Sequence, residues 1–438
     1  MLFQNHKHAI VLLTAVILLS LSLIACSVSP GATVDSDDTP TSSAESEDSR
    51  DTAQDVGEPA LSKLVEGNNA FAFDLYQAVR NEDGNLFYSP YSISAALAMT
   101  YAGARSSTEE QMASVLHYTL PQDQLHPAFN YLEHRLTNQE ADVKEKEEDF
   151  ILLIANSIWG HAGYSFLPEY LDLIAENYGA DLRTVDFEDA KNREQARLAI
   201  NDWISEQTEG KIEELILDEM LTAATRLVLA NAVYFKANWE DPFSNATRDD
   251  EFYLLDGSAV TVPMMSRKGF ANYFEVAGFQ AIELPYKGER LQMVVLLPAE
   301  GRFDDIESSL DSEFVKSLLR GFASEDIKLY LPRFEYDASF SLADTLAEMG
   351  MPDAFAKYQA DFSGIAEMPP SLFITHVEHK AFVAVDETGT EAAAATGVVA
   401  EPASEPVVVE VNRPFIFFIR DSESGTIMFV GRVINPTL

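Results

Sequence analysis

Asp386 to Thr396 reads D-E-T-G-T-E-A-A-A-A-T, a short polar entry followed by four consecutive small residues. About ten residues further on, V-V-V-E-V-N-R-P-F-I-F-F-I-R (407–420) resumes as strand. The stretch Glu391 to Thr396 has no proline, no bulky side chain and one charge, so it can be solvated as a loop or slipped between two strands. Period-2 geometry sends Thr390, Ala392, Ala394 and Thr396 to one face and Glu391, Ala393, Ala395 and Gly397 to the other. The first set is small and uncharged, as a face buried on insertion requires. Glu391 falls on the opposite face, where it can stay solvated. A flexible Ala-rich surface loop explains the smallness but not the placing of the one charge.

Working outward, the chain before this stretch is first helical and then strand-rich. Ala70, Phe71, Phe73, Leu75, Tyr76 and Val79 make an apolar stripe, and Ile93 to Tyr101 reads as an Ala-rich buried helix. Ser106 to Thr108 before Glu109 and Glu110 suggest a helix start, and Ala199 to Thr208 another helix closed by Gly210. Leu227 to Phe235 is apolar on both faces and predicts a central strand with Asn231 buried in it. Strand composition also marks Gln280–Tyr286, Leu291–Leu297, Ile327–Pro332, Leu372–Glu378, Ala381–Asp386, Val407–Val411, Phe415–Arg420 and Thr426–Val433. A helix at Leu342 to Met349 lies among them. Early helices and many late strands indicate an α+β domain.

The 438 residues carry 71 acids against 30 Lys and Arg, a net charge of −41. Phosphates would be repelled, so neither nucleic acid nor an anionic membrane surface is expected as a partner. Such an excess keeps a chain soluble and would also suit a salty medium. Residues 1–25 read as a targeting segment. Ala9 to Ile24 is apolar but shorter than the ~20 residues that cross a bilayer. It ends in L-I-A-C, and Cys26 is the single cysteine of the chain. The ending resembles a lipobox, which implies a lipid on Cys26. Residues 26–60 are Ser/Thr/Asp/Glu-rich and predict a disordered, self-repelling tether. The globular domain is expected over 61–438.

Several stretches resemble the serpin family. They are G-N-L-F-Y-S-P-Y-S-I-S-A-A-L-A-M-T-Y-A-G-A-R-S-S-T-E-E-Q-M-A-S-V-L (84–116), N-D-W-I-S-E-Q-T-E-G-K-I (201–212) and the strand ending N-A-V-Y-F-K-A-N-W (231–239). E-L-P-Y-K-G (283–288), the 386–396 stretch, N-R-P-F-I-F-F-I-R and F-V-G-R-V-I-N-P complete the series in the family's order. The resemblance implies one α+β domain with three β-sheets, about nine helices and an exposed reactive-centre loop. It also implies a protease trap. A serine protease attacks the loop and forms an acyl-enzyme, and the cut loop then inserts as a strand in the central sheet.

The family's loop length, counted from Glu387, places the scissile bond at Ala403–Ser404, and counting back from Pro414 gives the same bond. A small residue there suits elastase-like or subtilisin-like proteases, and no Lys or Arg lies between Thr388 and Asn412 to suit a trypsin-like one. The resemblance makes Glu387, Gly389, Thr390, Glu391, Ala392, Ala393, Ala394, Ala395 and Thr396 the loop hinge. It makes Ser89, Ser92, Asn231 and His379 a polar cluster controlling sheet opening, and Trp239 the aromatic at the top of the sheet. No cofactor is called for, no basic stripe offers heparin-type activation, and a monomer is expected.

Enzyme readings find little support. His376 and His379, three apart in a strand, face opposite sides and cannot share a metal ion. No G-x-S-x-G elbow occurs. The sequon Asn245-Ala246-Thr247 is weak. The expectation is an exported, lipid-anchored serpin that inhibits serine proteases irreversibly. The alternative is a non-inhibitory, chaperone-like binding module, which bulky or charged hinge residues would favour.

Overall fold

A computed structural model describes residues 56–137, 150–244, 246–367, 371–389 and 405–438. Cys26, the tether up to residue 55, Asn245, hinge residues Thr390 to Thr396 and the bond Ala403–Ser404 lie outside the described residues.

The chain begins with helices α1 (Glu58–Val79), α2 (Pro90–Tyr101), α3 (Ser106–Val115) and α4 (Gln122–Thr137), with the short strand β1 (Leu86–Tyr88) after the first. Strand β2 (Phe150–His161), helix α5 (Pro168–Tyr178), β3 (Leu182–Val185) and α6 (Ala190–Gln207) follow. Next come β4 (Leu227–Ala237), β5 (Arg248–Tyr253), β6 (Ala259–Val276), β7 (Phe279–Pro285) and β8 (Leu291–Pro298). Helices α7 (Phe303–Ser308) and α8 (Ser312–Gly321) lead to β9 (Ala323–Pro332) and β10 (Phe334–Ser341). Helix α9 (Ala343–Met349), β11 (Ile374–Val385), β12 (Val407–Glu410), β13 (Phe415–Asp421) and β14 (Ile427–Val433) complete it. Helix α1 starts at Glu58, three residues before the domain start read from composition.

Among the described residues the strands form two sheets, not the three the resemblance implies. The larger has nine strands in the order β1-β14-β13-β8-β7-β6-β9-β12, with β5 beside β6. Its two lobes are joined because the 18-residue β6 belongs to both. The amino-terminal part of β6 pairs with β5, its far end pairs with β7, and β9 bridges the middle. The second sheet runs β10-β11-β4-β2-β3.

Strand β4 sits centrally in that second sheet, as its apolar composition predicts. Leu227, Leu229, Val233 and Phe235 join the main core shared with α1, α2 and the larger sheet. Val228, Ala230 and Ala232 face a smaller core under α6, with Trp159 and Ile200. All twelve residues of α2 are buried. Its start is fixed by Ser89, whose Oγ accepts from the Ser92 N–H at 3.2 Å, and by Pro90 in the first turn, where no N–H is needed.

The sequence reading divides 372–386 into two strands, whereas the structure has one, β11. The polar pair that suggested a break alternates across it. His379 turns into the core and Lys380 turns out to Asp337, 3.3 Å away on β10.

Candidate functional site

Strands β11 and β4 lie side by side and parallel, a parallel seam in a sheet where β10–β11 and β2–β4 are antiparallel. At the middle of this seam His379 is registered opposite Asn231, and Asn231 opposite Asn156 of β2. The side chains of these three residues, with Ser89 and Ser92 at the start of α2, form one hydrogen-bonded network. The Ser89 N–H donates to His379 Nε2 at 3.2 Å. A backbone N–H can only donate, so Nε2 is the unprotonated nitrogen and the ring proton sits on Nδ1. That proton is donated to Asn231 Oδ1. The Asn231 amide then donates both its hydrogens, one to Ser92 Oγ and one to Asn156 Oδ1.

His379 is fully buried, and burial lowers its pKa to about 3. The ring is therefore neutral at ordinary pH, as the network requires. All four residues expected in the cluster are brought together. Asn156 was missed, although the sequence carried a signal. I-A-N-S in β2 repeats the L-A-N-A of β4, a lone amide in an apolar strand. Since that strand was not read at all, its amide was not weighed.

A second set of contacts lies at the top of the seam. The register between β11 and β4 ends at Phe382 and Tyr234, while the strands continue to Val385 and Ala237. Just beyond, the chain reverses. The Asp386 N–H donates to the Gly389 carbonyl at 2.9 Å. Asp386 Oδ1 accepts from the Thr388 N–H at 2.8 Å, the Thr388 hydroxyl at 2.7 Å and the Gly389 N–H at 3.2 Å. Gly389 forms an antiparallel bridge with Asn238, next to the end of β4.

Three successive carbonyls of the turn are held from below. The Trp239 indole donates to Asp386 at 3.0 Å, the Phe243 N–H to Glu387 at 2.7 Å and the Trp239 N–H to Thr388 at 2.8 Å. Trp239 is buried and stacks on Tyr286 with ring centroids 4.4 Å apart. The Glu387 carboxylate accepts from Thr247 and lies 3.4 Å from Arg333. Only glycine fits at 389. Its φ is +143°, and a Cβ there would come within 2.2 Å of the Ala237 carbonyl oxygen. Thr247 and Arg333 were not foreseen, because the connecting stretches that carry them, before β5 and between β9 and β10, meet Glu387 only through the tertiary fold.

His376 and His379 do not converge. His376 Nδ1 lies 3.5 Å from Glu378 Oε1, two residues along the same face, while His379 is in the network. Among the described residues no group of three or more His, Cys, Asp or Glu could hold a metal ion.

The site is thus a parallel seam bonded across its middle by a buried network, with a chain reversal docked over its upper end. The family model for serpins, serine protease inhibitors, matches residues 66–436. The chain belongs to the serpin family. It is 42% identical to an uncharacterised serpin-like protein of Thermococcus kodakarensis over 379 residues, covering 85% of this chain and 86% of that protein. It is 40% identical to the leukocyte elastase inhibitor of Sus scrofa over 397 residues, covering 86% of this chain and all of the inhibitor. Among solved structures it is similar to human thyroxine-binding globulin with bound thyroxine, at a TM-score of 0.77 and 30% identity, covering 86% of this chain and 99% of that one. In the serpin domain of this chain, then, the seam network and the docked turn are the candidate functional site.

Proposed function

We propose that this serpin inhibits serine proteases of small-residue specificity irreversibly, by inserting its cut loop between β11 and β4. The carrying observation is directional. Strands β11 and β4 are parallel, and the chain leaving β11 has already reversed at Asp386–Gly389. A segment continuing from Gly389 along the seam runs antiparallel to both neighbours at once. Insertion replaces one parallel ladder by two antiparallel ones, which are slightly stronger per residue. The seam has eight register pairs, so insertion adds on the order of ten backbone hydrogen bonds at about 1 kcal/mol each. That gain drives the trap.

The bait bond in this reading is Ala403–Ser404, attacked by an elastase-like or subtilisin-like enzyme. The relatives that include leukocyte elastase inhibitors support the size class. The protein acts at the cell envelope or outside the cell, held by a lipid on Cys26. A mass for the mature amino terminus equal to unmodified Cys26, or to the uncut leader, would remove that part.

Incubation with pancreatic elastase and with subtilisin tests the whole. The expected result is an adduct stable in denaturing electrophoresis and a released peptide beginning at Ser404. Cleavage with no adduct from either enzyme would instead favour a non-inhibitory binding module.

A further inference from the structure

Outside the seam, one patch contradicts the chemistry of its surroundings. On the outer face of the larger sheet, Val408 of β12, Lys328 of β9 and Lys268 of β6 stand in one cross-strand row. The two lysines are direct Cα partners and both are exposed. Like charges directly opposite each other destabilise a strand pair. The chain has more than twice as many acids as bases, yet among the described residues neither lysine has an acid within ion-pair distance. In the next row Tyr330 carries the Lys328 ammonium 5.1 Å from its ring centroid and the Arg248 guanidinium 5.2 Å from it. In the row on the other side Phe270 is 68% exposed, and in the lysine row itself Val408, at the edge, is 51% exposed. Glu410 beside Tyr330 and Asp326 opposite Phe270 bound the island.

A cationic row without acid partners among the described residues, flanked by two exposed apolar side chains, costs the free protein stability and offers binding in return. Its position names the occupant. Val408 belongs to β12, and β12 starts four residues after Ala403, so a protease seated on the bait bond is within reach of this face. We propose that Lys268, Lys328, Phe270 and Val408 form an auxiliary docking surface for the target protease. It recognises an acidic patch with an apolar centre beside that enzyme's active-site cleft. The inference rests on the inhibitor reading. It adds that the partner is selected by its surface charge as well as by its specificity pocket, against the repulsion of an inhibitor with net charge −41.

The test compares wild type with Lys268→Glu/Lys328→Glu and with Phe270→Ala, using the full chain. The proteases are an acidic subtilisin-type enzyme and a basic elastase. For the acidic protease the charge reversal should slow adduct formation about tenfold at low salt, with the difference shrinking as salt is raised. For the basic one the rate should hold or rise, and Phe270→Ala should slow both a few-fold. Rates within twofold of wild type for all pairs would overturn the proposal.

A parallel arm measures encounter affinity with each protease carrying alanine for its nucleophilic serine. It reads docking even if no adduct ever forms, so failure of the trap and failure of the docking surface are told apart. If wild type sediments as a dimer and the charge-reversed variant as a monomer, the face is a self-contact and the proposal falls. The substitutions lie on exposed side chains, so unchanged thermal midpoints are expected as a folding control.

Discussion

Acid should unlock the seam. In the folded protein His379 accepts the Ser89 N–H on Nε2, and burial lowers its pKa to about 3. In the unfolded chain the same ring titrates near 6.5. The folded pKa is depressed, so the unfolded state binds the extra proton first. The stability His379 contributes is complete above about pH 7 and is lost as pH falls through 6.5 towards 3. At pH 5 the loss from this one ring is roughly 2 kcal/mol. For a domain of this size that is a fall of about 2 to 3 °C in the thermal midpoint. The assay is a set of melting curves at one scan rate from pH 7.5 to 4.5, for wild type and for His379→Gln. The glutamine variant cannot titrate, so its curve should be flatter by that amount between pH 7.5 and 5, although it melts lower overall. Parallel pH dependences would refute the neutral-histidine lock. His126, whose pKa burial lowers to about 4, contributes equally to both proteins and cancels in the comparison.

Asn231→Leu leaves the buried His379 Nδ1–H and the half-buried Asn156 Oδ1 without these partners, which should cost at least about 1 to 3 kcal/mol. A thermal midpoint within 1 °C of wild type would show that the network is not a unit. Gly389→Ala pushes a Cβ into the Ala237 carbonyl, and strain of this kind costs about 1 to 3 kcal/mol. It should raise the fraction of inhibitor that is cleaved without trapping, measured as moles of inhibitor consumed per mole of protease silenced. Thr390→Arg puts a charge on the face buried by insertion, at a cost of several kcal/mol. It should be cut as a substrate, and a stable adduct from this variant would sink the insertion argument.

The sequence was most legible where burial is two-sided. Strand β4 reads as central because nine consecutive residues leave no face for water, and α2 reads as buried for the same reason. Strand β10 went unread although Phe334, Tyr336 and Ala338 are buried at every second position, since Glu335 and Asp337 between them lower its mean hydropathy. That loss also hid the acid that draws Lys380 outward and keeps β11 continuous. The three-sheet expectation failed on β6, where no composition change marks the point at which one lobe hands over to the other. At the site, Ser89, Ser92, Asn231, His379 and Trp239 came through family resemblance alone. Periodicity could bury them but not bring four separate elements to one hydrogen-bonded point. The ligands of Glu387, from β9–β10 and the stretch before β5, are the kind of contact that only folding reveals.

Two regions of the seam hold it by different means, and this divides their roles. At the top, the turn is held by backbone bonds from Trp239 and Phe243, and the first antiparallel rung, Gly389 to Asn238, is already made. In the middle, no rung is available until the His379–Asn231 bond across the seam is broken, and Asn156 and Ser92 hold the same Asn231 amide in place. These bonds share one amide and support one another, and a network of this sort is worth more than its separate members. The top therefore needs little rearrangement to begin, and the central amide is the step that resists. Substitutions at Gly389 should then alter how often insertion succeeds, whereas substitutions at Asn231 should alter how readily the seam parts with no cleavage at all. Spontaneous loss of inhibitory capacity on mild heating separates the two. It should accelerate in Asn231→Leu and stay near wild type in Gly389→Ala, and the reverse order would place the lock at the turn.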